Sequence, residues 1–244
     1  MAPYQVVISY DGTEFCGFQR QKNARTVQAE IENKLKNLGW QDQTIQFAGR
    51  TDTGVHAEGQ VISFRLDWRH SDKELLYALN DNLPRDISAR EVRKTYEGFH
   101  PRFDAKARIY RYQIYVCSSR DALLDRFFWR VWPAPDTKLL EKAAEGIVGT
   151  HDFRRLGCEI NGEGNATKKT IDSAKWEILD GHRLIFSIRA QSFLYHMVRR
   201  IVFILMKIGQ EKIEPVDLNA NKEFAELPAG IAPANGLFLE KVIY

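Results

Sequence analysis

The stretch Gly49-Arg50-Thr51-Asp52-Thr53-Gly54-Val55-His56-Ala57 puts an acid, a base and two glycines into one polar segment. A carboxylate held in one place can serve as a nucleophile or as a general base. The segment follows the strand-like Gln43 to Ala48 (QTIQFA) and precedes the strand-like Val61 to Leu66 (VISFRL), so it is predicted to be a loop between strands, where functional residues concentrate. Gly49 and Gly54 permit a tight turn that would hold Asp52 in one position. Read locally, the same residues are equally well an ordinary hairpin loop with a solvated aspartate.

Other residues invite chemistry elsewhere. Phe193 to Ile208 is apolar nearly all round, as a buried helix should be, yet it carries Arg199 and Arg200. A buried arginine needs a carboxylate, a phosphate or a wet cleft edge beside it. Arg102, Lys106, Arg108 and Arg111 gather around an alternating strand from Ala107 to Val116, whose Tyr110, Tyr112, Ile114 and Val116 share one face. Phe15 to Arg25 interleaves Arg20, Lys22 and Arg25 with Phe15, Phe18 and amides. That mixture suits a nucleic-acid backbone and equally a solvated loop. Taken alone, Tyr110 reads as a core tyrosine.

The elements that would carry these residues are legible from periodicity. Tyr4 to Tyr10 alternates as a strand, and Val27, Ile31, Leu35 and Leu38 recur at helical spacing before Gly39. Ser71-Asp72-Lys73-Glu74 is a capping box that opens a helix through Asn80, closed by the turn-rich Asn82-Leu83-Pro84, and Ile87 to Thr95 follows as a strand. The order strand, helix, strand, strand, helix, strand resembles a split βαβ domain. Further on, a helix is expected across Leu139 to Val148, ended by Gly149. A glycine-rich loop is expected from Gly157 to Thr167, and two strands, Thr170 to Leu179 and Arg183 to Gln191, are expected to turn at Asp180-Gly181-His182. Pro215 should start a short helix, and Leu237 to Tyr244 a last strand.

With 244 residues, 44% of them hydrophobic and 27% charged, the chain can bury a sizeable core as one large domain or two small ones. The expected division falls at residues 1–105 and 106–244. A net charge of +3 leans only slightly toward nucleic acid. Cys16, Cys117 and Cys158 are widely spaced and odd in number, which speaks for reduced thiols and against a disulfide framework or zinc ribbon. The chain runs from Met1-Ala2-Pro3 directly into a strand-like segment, unlike a signal peptide, and its longest apolar run, Ile201 to Met206, is far below the roughly 20 residues that cross a bilayer. A cytoplasmic protein is expected. No histidine pair has metal-ligand spacing, and no phosphate loop, dinucleotide glycine pattern or Gly-x-Ser-x-Gly elbow occurs. A cofactor-free enzyme or a binding module is left.

Several segments together resemble the TruA family of tRNA pseudouridine synthases. They are Tyr10-Asp11-Gly12-Thr13 with Gly17-Phe18-Gln19-Arg20-Gln21 and Thr26-Val27-Gln28, then Gly49 to Asp52 with Gly54 to Ala57, then Leu79-Asn80 with Leu83-Pro84. Pro101 to Ala105 with Arg108 to Tyr112, Gly149 to Phe153, Phe193-Leu194 with Met197-Val198-Arg199, and Ala232-Pro233-Ala234 with Gly236-Leu237 complete the set in family order. The resemblance implies an isomerase converting uridine to pseudouridine at tRNA positions 38 to 40, in the anticodon stem-loop, without a cofactor or metal. It matches Asp52 to the catalytic aspartate and Arg50 to the arginine that helps extrude the base. Tyr110 matches the tyrosine stacking on the uracil, Arg199 the arginine paired with the aspartate, and Leu237 an apolar residue lining the pocket. The implied pseudouridine synthase fold is α+β: two α/β-sandwich halves, split βαβ-like, whose antiparallel sheets join into one central sheet, in a homodimer. The chain departs from the pattern at Lys169, Phe203 and Gln210. A non-catalytic RNA-binding module and a cofactor-free N-glycoside hydrolase are the competing readings.

Overall fold

A computed structural model describes residues 1–158, 167–214 and 227–244. The described residues are mixed α+β and divide into two units, residues 1–106 with 238–244 and residues 107–237. In chain order the elements are β1 (Ala2–Tyr10), α1 (Val27–Asn37), β2 (Gln46–Phe47), β3 (His56–Leu66), α2 (Asp72–Asn82) and β4 (Ile87–Lys94). They continue with β5 (Ala107–Val116), β6 (Trp129–Val131), α3 (Thr137–Glu145), β7 (Gly149–Asp152), β8 (Lys168–Leu179), β9 (Arg183–Ala190), α4 (Met197–Gly209) and β10 (Leu237–Ile243).

In the first unit β1 is the central strand, antiparallel to β3 on one side (Tyr4↔Phe64, Val6↔Ile62) and to β4 on the other (Val6↔Val92). β10 lies parallel to β3, with Phe238 opposite His56 and Leu239 opposite Ala57. The period-two pattern of β1 buries Tyr4, Val6, Ile8 and Tyr10. α1 buries Val27, Ile31 and Leu35, and α2, which packs on β4, buries Leu75 and Leu79. The capping box of α2 forms as expected: Ser71 Oγ accepts from Glu74 N–H while the Glu74 carboxylate takes the Ser71 N–H. Gly39, with φ +88°, stops α1 in the left-handed conformation that only glycine adopts without strain.

The strand expected over Gln43 to Ala48 contracts to Gln46–Phe47, because the Ile45 N–H bonds the Glu32 carboxylate instead of a neighbouring strand. β3 begins earlier than expected. Pairing with β10 draws His56 and Ala57 out of the loop and into the strand.

In the second unit β5 spans the expected residues and is antiparallel to β9, which forms a hairpin with β8 through Asp180 and Gly181. Both turn residues have positive φ, 46° and 70°, as a type I′ hairpin turn requires. β7 pairs with the outer side of β8, and the short β6 runs parallel to β5. α3 packs on α4 and on β8.

α2 runs to Asn82, two residues past its expected end, and two further helices have different limits from those expected. α4 begins at Met197 rather than Phe193, since Tyr195 and Cys158 exchange backbone hydrogen bonds (3.0 and 3.1 Å) and His196 takes φ +63°. α3 ends at Glu145, with Ile147 and Val148 N–H groups bonding only three residues back, and Gly149 opens β7. The Gly157–Thr167 loop, apart from its ends, and the helix expected at Pro215 lie outside the described residues. No helix among the described residues is long and apolar enough to cross a membrane.

Candidate active site

The Asp52 loop is fastened by residues that come from β1 and the segment after it. Tyr10 OH lies 2.7 Å from Thr51 Oγ1, and the Phe18 N–H donates to the Thr51 carbonyl at 3.1 Å. On the far side of Asp52, the Gly54 N–H donates to Phe15 O and the Val55 N–H closes a turn onto Asp52 O at 3.1 Å. Gly54 has φ +77°, which suits the third position of a type II turn, whereas Gly49 does not take a positive φ. Gly49 contributes its carbonyl, which accepts from Gln60 Nε2 at 2.7 Å.

Close backbone approach explains Gly12. A Cβ there would stand 2.0 Å from the Val55 carbonyl oxygen, so any side chain would push the loop away. Next to it His56 is fully buried: its Nδ1 accepts from the Gly12 N–H at 2.9 Å, and its ring stacks on Phe238 with centroids 4.6 Å apart. His56, on β3, is therefore a packed strut between the turn after β1 and Phe238 of β10.

The result is a half-buried carboxylate between two anchored neighbours, buried Thr51 and buried Val55, with Arg50 exposed just before it. Fixing the neighbours restricts where the Asp52 backbone can place its carboxylate, which a nucleophile or base requires.

Tyr110, Arg199 and Leu237 belong to the second unit. Tyr110 on β5 is buried, and its ring meets Phe193 edge-to-face, centroids 5.2 Å apart at 89°. Two residues along the same face, Tyr112 is wholly buried and its hydroxyl donates to the Pro233 carbonyl at 2.7 Å. Burial pushes its phenol well above the usual value, an effect that the nearby Arg199 charge opposes.

Arg199 in α4 donates from Nε to Ala232 O at 2.8 Å, and its own carbonyl accepts from the Ala232 N–H at 3.1 Å. Arg200 bonds the carbonyls of Pro228 and Gly230, and desolvation lowers its guanidinium pKa. The two arginines that interrupt the apolar helix thus hold the segment leading to buried Leu237. Gly236 fits there because a Cβ would come 2.7 Å from the Tyr112 ring and from Gln113 O.

Sequence reasoning missed Tyr10, Gly12 and Phe18 as supports of the loop, and Tyr112 as the anchor of Pro233. Their signal was present as motif membership, but the contact each makes is with residues distant in the chain. Among the described residues no three His, Cys, Asp or Glu side chains cluster as metal ligands.

Loop and frame belong to an α+β protein whose Asp52 stands in a turn fastened by hydrogen bonds on both sides. The sequence pattern of the family described as tRNA pseudouridine synthase matches residues 6–104 and 143–244. A tRNA pseudouridine synthase A of Thermotoga sp. (strain RQ2) is 37% identical over 241 residues, covering 98% of each chain. One of Aeromonas hydrophila subsp. hydrophila is 38% identical over 244 residues, covering 97% of this chain and 88% of the relative. Among solved structures, an archaeal box H/ACA sRNP Nop10-Cbf5 complex aligns over 83% of this chain and 44% of that one at 9% identity and a TM-score of 0.37, too slight a likeness to carry weight. The chain belongs to the tRNA pseudouridine synthase family.

Proposed function

We propose that the protein isomerises uridine to pseudouridine at tRNA positions 38 to 40, with Asp52 as the catalytic carboxylate. The observation that carries this reading is the half-buried Asp52 in a turn anchored on both sides, in a chain of this family. The reaction breaks the bond from ribose C1′ to uracil N1, turns the base and joins C1′ to C5. N1 ends protonated and the C5 proton is released to solvent. Electrons and atoms balance within the nucleoside, so no redox partner is required. Asp52 can assist by attacking C1′ or by removing a sugar proton.

A stem nucleotide must leave its stack to react, at a cost of a few kcal/mol. Exposed Arg50 is suited to fill the space it leaves, and Tyr110 to stack on the uracil, a contact contributing about 1 to 3 kcal/mol. Arg199 is the cation the family pattern pairs with the aspartate, and Leu237 lines the uracil pocket. The enzyme acts on the anticodon stem-loop as a homodimer in the cytoplasm.

Asp52→Ala is expected to abolish tritium release from C5-labelled uridine in tRNA with little change in tRNA affinity. Undiminished release from the variant would remove Asp52 from its role, and free uracil as product would make the protein a hydrolase.

A further inference from the structure

We infer that Glu32, far from Asp52 in the chain, is a positioning residue for the Asp52 loop, and that Arg20 serves this device rather than the RNA backbone. The inference rests on reading Asp52 as the catalytic carboxylate. Glu32 lies on α1 with its side chain only 2% exposed. A carboxylate this deep needs several donors, and it has four. Oε2 accepts from Arg20 Nη1 at 2.6 Å. Oε1 accepts from Gln28 Nε2 at 2.8 Å, from Thr44 Oγ1 at 3.1 Å and from the Ile45 N–H at 3.1 Å.

These donors lead to the loop along two routes. The first runs through Gln28 and Arg20. Gln28 Oε1 accepts the Arg20 N–H at 2.9 Å, the Gln28 N–H donates to Phe18 O at 2.9 Å, and the Phe18 N–H reaches Thr51 O, one residue before Asp52. The Phe18 ring, fully buried, packs 4.7 Å from Phe47 and 6.0 Å from Tyr10, so its backbone cannot drift independently of the strands. The second route runs through Thr44 and Ile45 into β2, which leads within three residues to Gly49. Glu32 therefore ties together both segments that approach the loop.

Two of the three bases in the segment that suits either an RNA backbone or a solvated loop are engaged within the protein. The Arg20 guanidinium is bonded to Glu32 and to the Gln43 carbonyl. Arg25 is taken up too, by a bidentate pair with Asp86, a bond to Glu30 and a place 4.2 Å over the Phe15 ring. Bases so engaged serve architecture first.

The test is single-turnover pseudouridylation at saturating enzyme, with tRNA Kd and thermal unfolding measured alongside. Glu32→Gln keeps an acceptor for Gln28, Thr44 and Ile45 but loses the charge that holds Arg20. It is expected to lower the rate constant about tenfold or more while Kd stays within about twofold, because displacing a catalytic group by a fraction of an ångström costs rate rather than binding. Thr44→Val, nearly isosteric, should lower the rate less and in the same direction, and it decides the matter if Glu32→Gln does not fold. Arg20→Met should likewise lower the rate without weakening binding or reducing its salt dependence. A wild-type rate constant in a folded variant overturns the inference, as does a Kd that rises in step with the loss of rate. Asp52→Ala in the same assay separates the two readings: if it keeps the rate, the site assignment fails, and if it is inactive while Glu32→Gln is normal, only the role of Glu32 fails.

Discussion

Tyr10 at the end of β1 and Thr51 in the Asp52 loop meet hydroxyl to hydroxyl at 2.7 Å, and both are buried. Removing one partner leaves the other without its bond in a site water reaches poorly. Tyr10→Phe is expected to cost about 1 to 3 kcal/mol of stability. Because Thr51 precedes Asp52, the variant should also slow single-turnover pseudouridylation, on the order of tenfold, with tRNA affinity unchanged. Urea unfolding and tritium release measure the two effects. A variant as stable and as fast as wild type would show that the contact holds nothing in place.

Arg199 has a structural duty as well as the proposed catalytic one. Arg199→Ala removes the Nε bond to Ala232 O and frees the segment that carries Pro233 and Leu237. A lower melting temperature and a large loss of turnover are expected together, the structural part being about 1 to 3 kcal/mol. Tyr112→Phe removes the other anchor of the segment, the bond to Pro233 O, without touching any charge, and should reproduce the stability loss with a smaller loss of rate. Equal rate losses in the two variants would mean that Arg199 acts only through the segment.

Asp152, which has no part in the proposed chemistry, provides a pH signature. Its hydrogen bonds with the Arg154 side chain, among them Nε to Oδ2 at 2.8 Å, hold its carboxyl down at about 2, below the ordinary 3.8. A carboxyl with a folded pKa below its unfolded one stabilises the fold above about pH 4, and that contribution disappears as pH falls through about 2. The Arg154 side chain is 68% exposed, so screening keeps the contribution under about 1 kcal/mol. Arg154→Met should therefore shift the urea midpoint near neutral pH, and the shift should shrink as pH falls through about 2 and vanish below it. A difference that persisted at low pH would place its cause elsewhere.

Local signals were strong where the chemistry of a few neighbouring residues decides the backbone. The capping box at Ser71 starts α2, Asp180-Gly181 turns β8 into β9, and the alternation of Ala107 to Val116 appears unchanged as β5. Signals failed where a distant partner wins. The apolar run from Phe193 promised a helix, but Cys158 claims the backbone of Tyr195. Thr44 and Ile45 looked like strand residues, but Glu32 claims their donors.

The candidate site divides along the same line. By itself the sequence determined that an aspartate stands between glycines in a turn after a strand, that arginines interrupt an apolar helix, and which family the motif order resembles. Residue type and spacing carry those facts, since turn geometry and burial preference are short-range properties. Only the tertiary structure decided that Tyr10, Gly12 and Phe18 hold the loop, that β10 comes back to lie beside β3, and that Arg199 and Tyr112 grip Ala232 and Pro233. These are hydrogen bonds and close approaches between segments far apart in the chain, and none of those segments encodes its partner's position.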